Sequence, residues 1–371
     1  MTRPNLLTPG VLGDYNLPNC MVMAPMTRLR AGAGGIPIPI NAVYYAQRAS
    51  AALIVTECTM ISPQSHGYMN CPGIYSQKQI EGWKQVVEAV HNKGGRIFLQ
   101  LWHCGRVSHP SLQPDGRLPV APSAIAAPGE LHTPQGKQQM LAPRALEVEE
   151  IADIVEDFRL AAQNALDAGF DGIELHGAFG YLIDQFIQDG SNQRSDQYGG
   201  SAENRARFLL EVVEAVTSVW GAERVGVKFS PSNTLYGMTD SNPEATFKYV
   251  IESLNSYNLA YIHLVEPTKQ DLKANGVISS VASLFRPIFK GTLITNCGYD
   301  KSSGNKVLSE GNADMVSFGE LFLANPDLPE RFKHDAPLNT PDSNTFYGQG
   351  DRNPNPGYTD YPTLEEQGLL S

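Results

Sequence analysis

Residues 171–186 read DGIELHGAFGYLIDQF, and polar chemistry follows there directly on what reads as a buried strand. Residues 172–175 form a short apolar run, and the strand is expected to end at His176. His176 and Phe179 stand three apart, a spacing that sets both side chains on one side of a turn, with Tyr181 just beyond. A histidine and a tyrosine at the C-terminal end of a strand can offer one bound molecule two hydrogen-bond donors and a proton. The plain alternative is a satisfied core histidine beside a packing tyrosine, and on this stretch alone the two readings weigh equally.

Working outward, the same unit recurs along the chain. A turn-rich piece over 9–19 suggests a short hairpin closing one end, and 21–24 is a first buried strand followed at once by PMTR. Helix is expected over 42–51, strand over 52–56, helix over 78–93 and strand over 96–101, the last ending in QLWHCGR. From 107 to about 146 prolines and glycines are frequent and no period is evident, the mark of a functional loop over a site. An amphipathic helix over 148–168 leads into the opening strand. Beyond it come helix 202–220, strand 225–229, helix 243–256, strand 261–264, helix 278–289, strand 292–295, helix 301–310, strand 314–318 and a last helix 321–332. A tail follows over about 335–371. Eight strand–helix units of this kind imply a parallel sheet covered on both faces and closed into an α/β (β/α)8 TIM barrel spanning 1–371 as one domain. An open doubly wound sheet fits less well, because no strand is followed by G-x-G-x-x-G.

At the ends of those strands stand Thr27, Glu57, Gln100, His176, Lys228, His263, Asn296 and Gly319. In a barrel all eight converge on one mouth, where this fold places its active sites. Glu57, His263 and Asn296 are equally well explained as residues that end strands and cap loops. No Ser/His/Asp order, carboxylate pair or H-E-x-x-H occurs, which leaves cofactor-based chemistry as the natural inference.

Composition narrows the class. A formal charge of −11 without any Lys/Arg-rich run argues against nucleic acid and anionic membranes as partners. The first ten residues carry no apolar core segment, and no run of about 18 apolar residues occurs, so neither export nor a membrane span is expected. Five cysteines without paired spacing argue against a disulfide framework or a zinc site. A cytoplasmic enzyme, monomer or homodimer, fits this balance.

Several stretches together resemble the old yellow enzymes, the FMN-dependent ene-reductases that include the plant 12-oxophytodienoate reductases. They are APMTR from Ala24, NAVYYAQRAS from Asn41, LQLWHCGR from Leu99, HGAFGYLIDQF from His176, DGSNQRSDQYGGSAENRARF from Asp189, SPSNTLYGM from Ser230, LFLANPDLPERF from Leu321 and GYTDYP from Gly357. The resemblance implies that Pro25, Met26 and Thr27 lie along the isoalloxazine, that Gln100 binds its pyrimidine edge, and that Lys228 stands near N1 where the family usually has arginine. It implies a ping-pong reaction: NADPH or NADH reduces FMN, and an α,β-unsaturated carbonyl compound then takes the hydride at its β-carbon. His176 would polarise the carbonyl, Tyr181 would protonate the α-carbon, and Trp102, Tyr68 and Tyr358 would shape the apolar walls.

The departures from the family pattern carry equal weight. Phe179 stands where a second donor, His or Asn, is usual. Cys58 replaces a small Gly or Ala, and Cys297-Gly298 stands where two glycines approach the phosphate. Glu320 occupies the place of the arginine that pairs with the phosphate, which leaves backbone N–H groups at Gly298, Gly319 and Glu320 to hold it. Two further readings therefore stand beside the reductase: a flavin-poor relative doing acid/base work on a hydrophobic enone, and a barrel kept as a binding module.

Overall fold

Residues 4–274, 276–348 and 355–370 are described by the computed structural model. The apolar runs become eight parallel strands: β1 (Met21–Met23), β2 (Leu53–Val55), β3 (Ile97–Trp102), β4 (Gly172–Gly177), β5 (Val225–Phe229), β6 (Tyr261–Val265), β7 (Leu293–Asn296) and β8 (Met315–Phe318). Each pairs with the next and β8 pairs with β1, so the sheet closes and leaves no edge. Every residue of β3 and β4 is buried, because helices cover the outside while side chains fill the inside. The register sets Glu174 opposite Gln100 and His176 opposite Lys228. That alignment brings the polar residues of neighbouring strands to common levels inside the barrel.

Helices return the chain between strands, and the longest show why the pattern was legible. Val148–Asp167 buries Ile151, Ile154, Phe158, Ala161, Ala162 and Ala165 along one stripe, and Ala202–Trp220 does the same with Phe208, Leu209, Val212, Val213 and Val216. Burying a side chain the size of leucine or phenylalanine stabilises by about 1.5–3 kcal/mol. These stripes therefore hold the helices where intrinsic propensity alone would leave them marginal.

Where expectation and structure differ, tertiary contacts or proline decide. The first helix is Pro39–Ala46 instead of 42–51, with proline in its first turn and the Asn41 side chain accepting the Ile38 N–H at 2.7 Å. The expected helix 278–289 contracts to Val281–Phe285. Its start is pinned by the Glu266 carboxylate, which accepts the N–H groups of Val281 and Ala282 at 2.7 and 2.9 Å, and Pro287 has no N–H to carry it on. The last helix divides into Glu320–Ala324 and Leu328–Lys333, because Asn325 before Pro326 leaves the helical region.

The hairpin expected over 9–19 forms from Gly10–Leu12 and Tyr15–Leu17. The Tyr15 hydroxyl donates to the Asp171 carbonyl at 3.1 Å, so the hairpin lies at the N-terminal end of β4, away from the mouth. The stretch 107–146 holds order that its composition hid: Val120–Ala121 pairs in parallel with Arg144–Ala145, and Glu130–Thr133 forms a hairpin with Gly136–Gln139. Strands this short carry no readable period. Ala127, Leu131 and Met140 from this stretch pack with Cys58, Met60, Trp102 and Tyr181. Part of the tail expected over 335–371, namely 349–354 and Ser371, lies outside the described residues.

Candidate active site at the barrel mouth

The C-terminal strand ends surround a cavity of about 210 Å³ lined by Pro25, Met26, Thr27, Cys58, Gln100, His176, Phe179, Tyr181, Lys228, Leu235 and Tyr347. The loops after β1 and β2 supply Pro25, Met26, Thr27 and Cys58. Gln100, His176 and Lys228 come from β3, β4 and β5 themselves, and the loop after β4 adds Phe179 and Tyr181.

His176 is wholly enclosed, and burial, helped by the charge of Lys228, depresses its pKa to about 3. It is therefore a neutral imidazole at any working pH. Its Nδ1 accepts the N–H of Ala178 at 3.3 Å, which leaves Nε2 as the N–H donor. The Tyr181 ring meets His176 edge to face, with centroids 4.9 Å apart and planes at 81°. Burial raises the Tyr181 phenol well above its usual range, so the hydroxyl is fully protonated and ready to give up a proton only where negative charge develops beside it.

Lys228 is only 2 % exposed, and among the described residues its ammonium makes no hydrogen bond or ion pair. Its ring neighbour is Phe179, whose centroid lies 5.6 Å from Nζ. Burial lowers the lysine pKa while the enclosed Glu174 carboxylate opposes that shift. An unpaired buried cation facing a cavity is costly unless a ligand with negative charge completes it. Phe179 itself has φ of 56°, a conformation unusual for a bulky residue, and its N–H is held by Ser230 Oγ at 2.7 Å.

Beneath the cavity a buried chain joins the strand-end residues Gln100, His263 and Asn296 through Glu174 and Ser317, two residues that the strand ends did not name. Gln100 Nε2 donates to Glu174 Oε1 at 2.7 Å, Glu174 Oε2 meets His263 Nδ1 at 2.8 Å, and His263 Nε2 meets Ser317 Oγ at 2.7 Å. Asn296 Nδ2 donates to the same Ser317 Oγ at 2.7 Å, and Cys58 Sγ–H donates to Gln100 Oε1 at 3.1 Å. Gln100 is thereby fixed in orientation. Glu174 stood two residues before His176 in an otherwise apolar strand, a period-two signal that marks it as inward-facing. Glu57 proves to be a loop-fixing group, buried and accepting the N–H of Arg28 at 3.0 Å.

The expected walls are corrected in part. Tyr358 does not reach the cavity: it is fully buried, stacked on Tyr44 with centroids 4.1 Å apart, its hydroxyl accepting from Asn41 at 2.8 Å. Arg28 and Arg30 flank that ring at 5.1 and 4.7 Å and hold the tail by its carbonyls at 345, 346, 356 and 357. Among the described residues of the tail, Tyr347 lines the cavity and is 59 % exposed. Trp102 stands behind the lining, stacked near Tyr68 at 5.5 Å and met edge-on by Tyr181 at 4.8 Å. Tyr68 belongs to that same layer, its hydroxyl 3.2 Å from that of Tyr181.

Cys297, Gly298, Gly319 and Glu320 sit beyond the ends of β7 and β8, beside the cavity. Cys297 and Gly298 both have left-handed backbones, with φ of 81° and 77°, and a Cβ on Gly298 would meet nothing within 4 Å. A Cβ on Gly319 would lie 3.0 Å from the Met26 sulfur, which places Gly319 against the cavity lining. Glu320 is exposed at the start of its short helix. All five cysteines are free thiols, no cluster of three or more metal-ligating side chains occurs among the described residues, and no described helix is long and apolar enough to cross a membrane.

The unpaired Lys228 and the oriented Gln100, both facing the cavity, fit a flat, electron-rich ring such as that of FMN. The model of the NADH:flavin oxidoreductase / NADH oxidase family matches residues 5–339. A putative 12-oxophytodienoate reductase 2 of Oryza sativa subsp. japonica is 48% identical over 364 residues, covering 97% of this chain and 94% of that protein. Among solved structures, morphinone reductase in complex with tetrahydroNAD is 49% identical with a TM-score of 0.90, covering 97% of this chain and 98% of that one. An old yellow enzyme homologue from Zymomonas mobilis is 42% identical with a TM-score of 0.91, covering 97% and 99%. On the barrel, its mouth and a match that runs nearly end to end, the chain belongs to the NADH:flavin oxidoreductase / NADH oxidase family, and its cofactor is FMN.

Proposed function

We propose that the protein reduces the C=C bond of α,β-unsaturated carbonyl compounds, with NADPH or NADH as reductant. The observation that carries this reading is the pairing, across 4.9 Å, of a neutral His176 whose Nε2–H is available with a protonated Tyr181. One group polarises a carbonyl and the other delivers a proton, and both line the cavity that holds Lys228 and Gln100. Thr27, Gln100, Lys228 and His176 would hold the isoalloxazine with Pro25, Met26 and Cys58 against it, and Cys297, Gly298, Gly319 and Glu320 would meet the phosphate. When bound, FMN supplies hydride transfer from the nicotinamide to the β-carbon of the enone.

The chain's own residues do the rest. His176 Nε2–H donates to the substrate oxygen and stabilises the enolate, without the cost of moving a charge, because the imidazole stays neutral. Tyr181 then breaks its O–H bond as the new C–H bond forms at the α-carbon. Lys228 balances the electron-rich ring edge, and Trp102 and Tyr68 fix the Tyr181 ring. Phe179 leaves the carbonyl with one side-chain donor at the place where the family usually offers two.

The test is Tyr181→Phe followed by stopped-flow spectroscopy with cyclohexenone. Recovery of the flavin absorbance should slow by about a hundredfold or more, the usual worth of a general acid, and far more than reduction by NADPH does. Equal rates for variant and wild type in both half-reactions would show that Tyr181 is not the acid.

A further inference from the structure

Tyr181 does not end the line of hydroxyls at the mouth. Its OH lies 3.2 Å from the OH of Tyr68, and the Tyr68 OH is in turn hydrogen-bonded to the OH of Tyr236. The three tyrosines come from three separate loops, after β2, β4 and β5. Accessibility rises along the series: Tyr181 is 9 % exposed, whereas Tyr68 and Tyr236 are only partly buried. We propose that Tyr68 and Tyr236 are positioning residues of a hydroxyl relay that carries a proton from solvent to Tyr181 during enone reduction. The inference rests on Tyr181 being the acid.

Two further observations support a built arrangement. Tyr236 has φ of 56°, inside the turn Leu235–Gly237, and a bulky residue persists in that region only where its surroundings hold it. Here the holding group is Arg106, which donates to the Tyr236 carbonyl at 3.1 Å and to the Ile125 carbonyl of the long loop at 3.3 Å. The turn is thereby tied to the loop that covers the mouth, and the tyrosine hydroxyl is kept within reach of Tyr68.

The physical need for a relay follows from burial. Once Tyr181 has given up its proton, a phenolate is left in an enclosed apolar cluster with Trp102, Cys104 and Met140, and such a charge is costly there. Proton transfer from Tyr68 to Tyr181 and from Tyr236 to Tyr68 moves the charge to the outermost oxygen. The balance is simple: the Tyr181 O–H bond breaks as the α-carbon C–H bond forms, each hydroxyl takes the proton of the next, and water reprotonates Tyr236. One solvent proton is consumed per turnover, and no further reactant is required.

The experiment is a double-mutant cycle on the FMN-loaded enzyme, following flavin absorbance after mixing with cyclohexenone, together with a proton inventory in H2O/D2O mixtures. Tyr68→Phe and Tyr236→Phe should each slow the oxidative step by about tenfold or more, the size of one hydrogen bond to a charged group. Neither should slow it further in the Tyr181→Phe background. The inventory should be bowed in wild type, where several protons move together, and linear in Tyr68→Phe. A Tyr68→Phe effect of the same size with Tyr181→Phe already present would overturn the relay in favour of substrate packing, as would wild-type rates in both single variants. Tyr236→Phe, on a surface turn, keeps the test valid if Tyr68→Phe does not fold. An unslowed Tyr181→Phe would instead remove the acid assignment itself, an outcome distinct from a slow Tyr181→Phe beside two unaffected relay variants.

Discussion

Restoring a donor at position 179 is the most informative perturbation of the carbonyl site. Phe179 has φ of 56°, a conformation that costs an ordinary L-residue about 1–2 kcal/mol and that Asn and His adopt far more readily. Phe179→Asn relieves that strain while losing part of a half-buried ring, and the two effects, each about 1 kcal/mol, nearly cancel in stability. Binding is another matter. A phenolate seated where the substrate carbonyl sits gains a hydrogen bond to a charged acceptor, worth about 1.5–3 kcal/mol, or about 10–150-fold in affinity. The ring lost is the one 5.6 Å from Lys228 Nζ, so the ammonium is also freed toward the ligand. We expect para-chlorophenol to bind at least about tenfold more tightly to Phe179→Asn and Phe179→His, at the low end of that range. Titration of the long-wavelength charge-transfer band of the FMN-loaded proteins measures it, and melting curves check the stability argument. Unchanged or weaker affinity in both variants would mean that the carbonyl does not sit beside position 179.

Charge at Glu320 should set FMN affinity: Glu320→Gln is expected to tighten binding to stripped protein about fivefold at low salt, because an exposed charge contributes about 1 kcal/mol at most. The gain should vanish near 1 M salt, and equal fluorescence-quenching curves for both proteins at low salt would refute a phosphate beside Glu320. Acid stability offers a separate test at His103, which burial holds down at a pKa of about 3. Below the unfolded value of about 6.5 the unfolded chain takes up a proton that the native state refuses, so this group makes stability fall as pH falls. The gap in unfolding free energy between wild type and His103→Gln should therefore shift in the variant's favour by about 1.4 kcal/mol per pH unit below 6.5. A gap in urea unfolding that stays constant from pH 7 to pH 5 would contradict it.

Much of this protein is legible in its amino-acid sequence alone. All eight barrel strands lie within a residue or two of the apolar runs that announced them, and the long helices over 148–167 and 202–220 match their stripes, because burial on one face repeats with the period of the element itself. Strand ends named Thr27, Gln100, His176 and Lys228, and barrel closure brings those four to one cavity. Tertiary structure alone decided the rest. Nothing local tells Tyr358 to stack on Tyr44 or Tyr347 to reach the cavity; the tail's path is set by Arg28 and Arg30 binding carbonyls more than 300 residues away in the chain. The parallel pairing of Val120–Ala121 with Arg144–Ala145 and the short helix pinned by Glu266 likewise depend on partners well removed in sequence, whereas the split at Asn325 is local and set by Pro326. Periodicity reports which face of an element is buried, whereas the partner that a buried polar group or an aromatic ring finds is fixed only when closure of the barrel brings distant segments within hydrogen-bond reach.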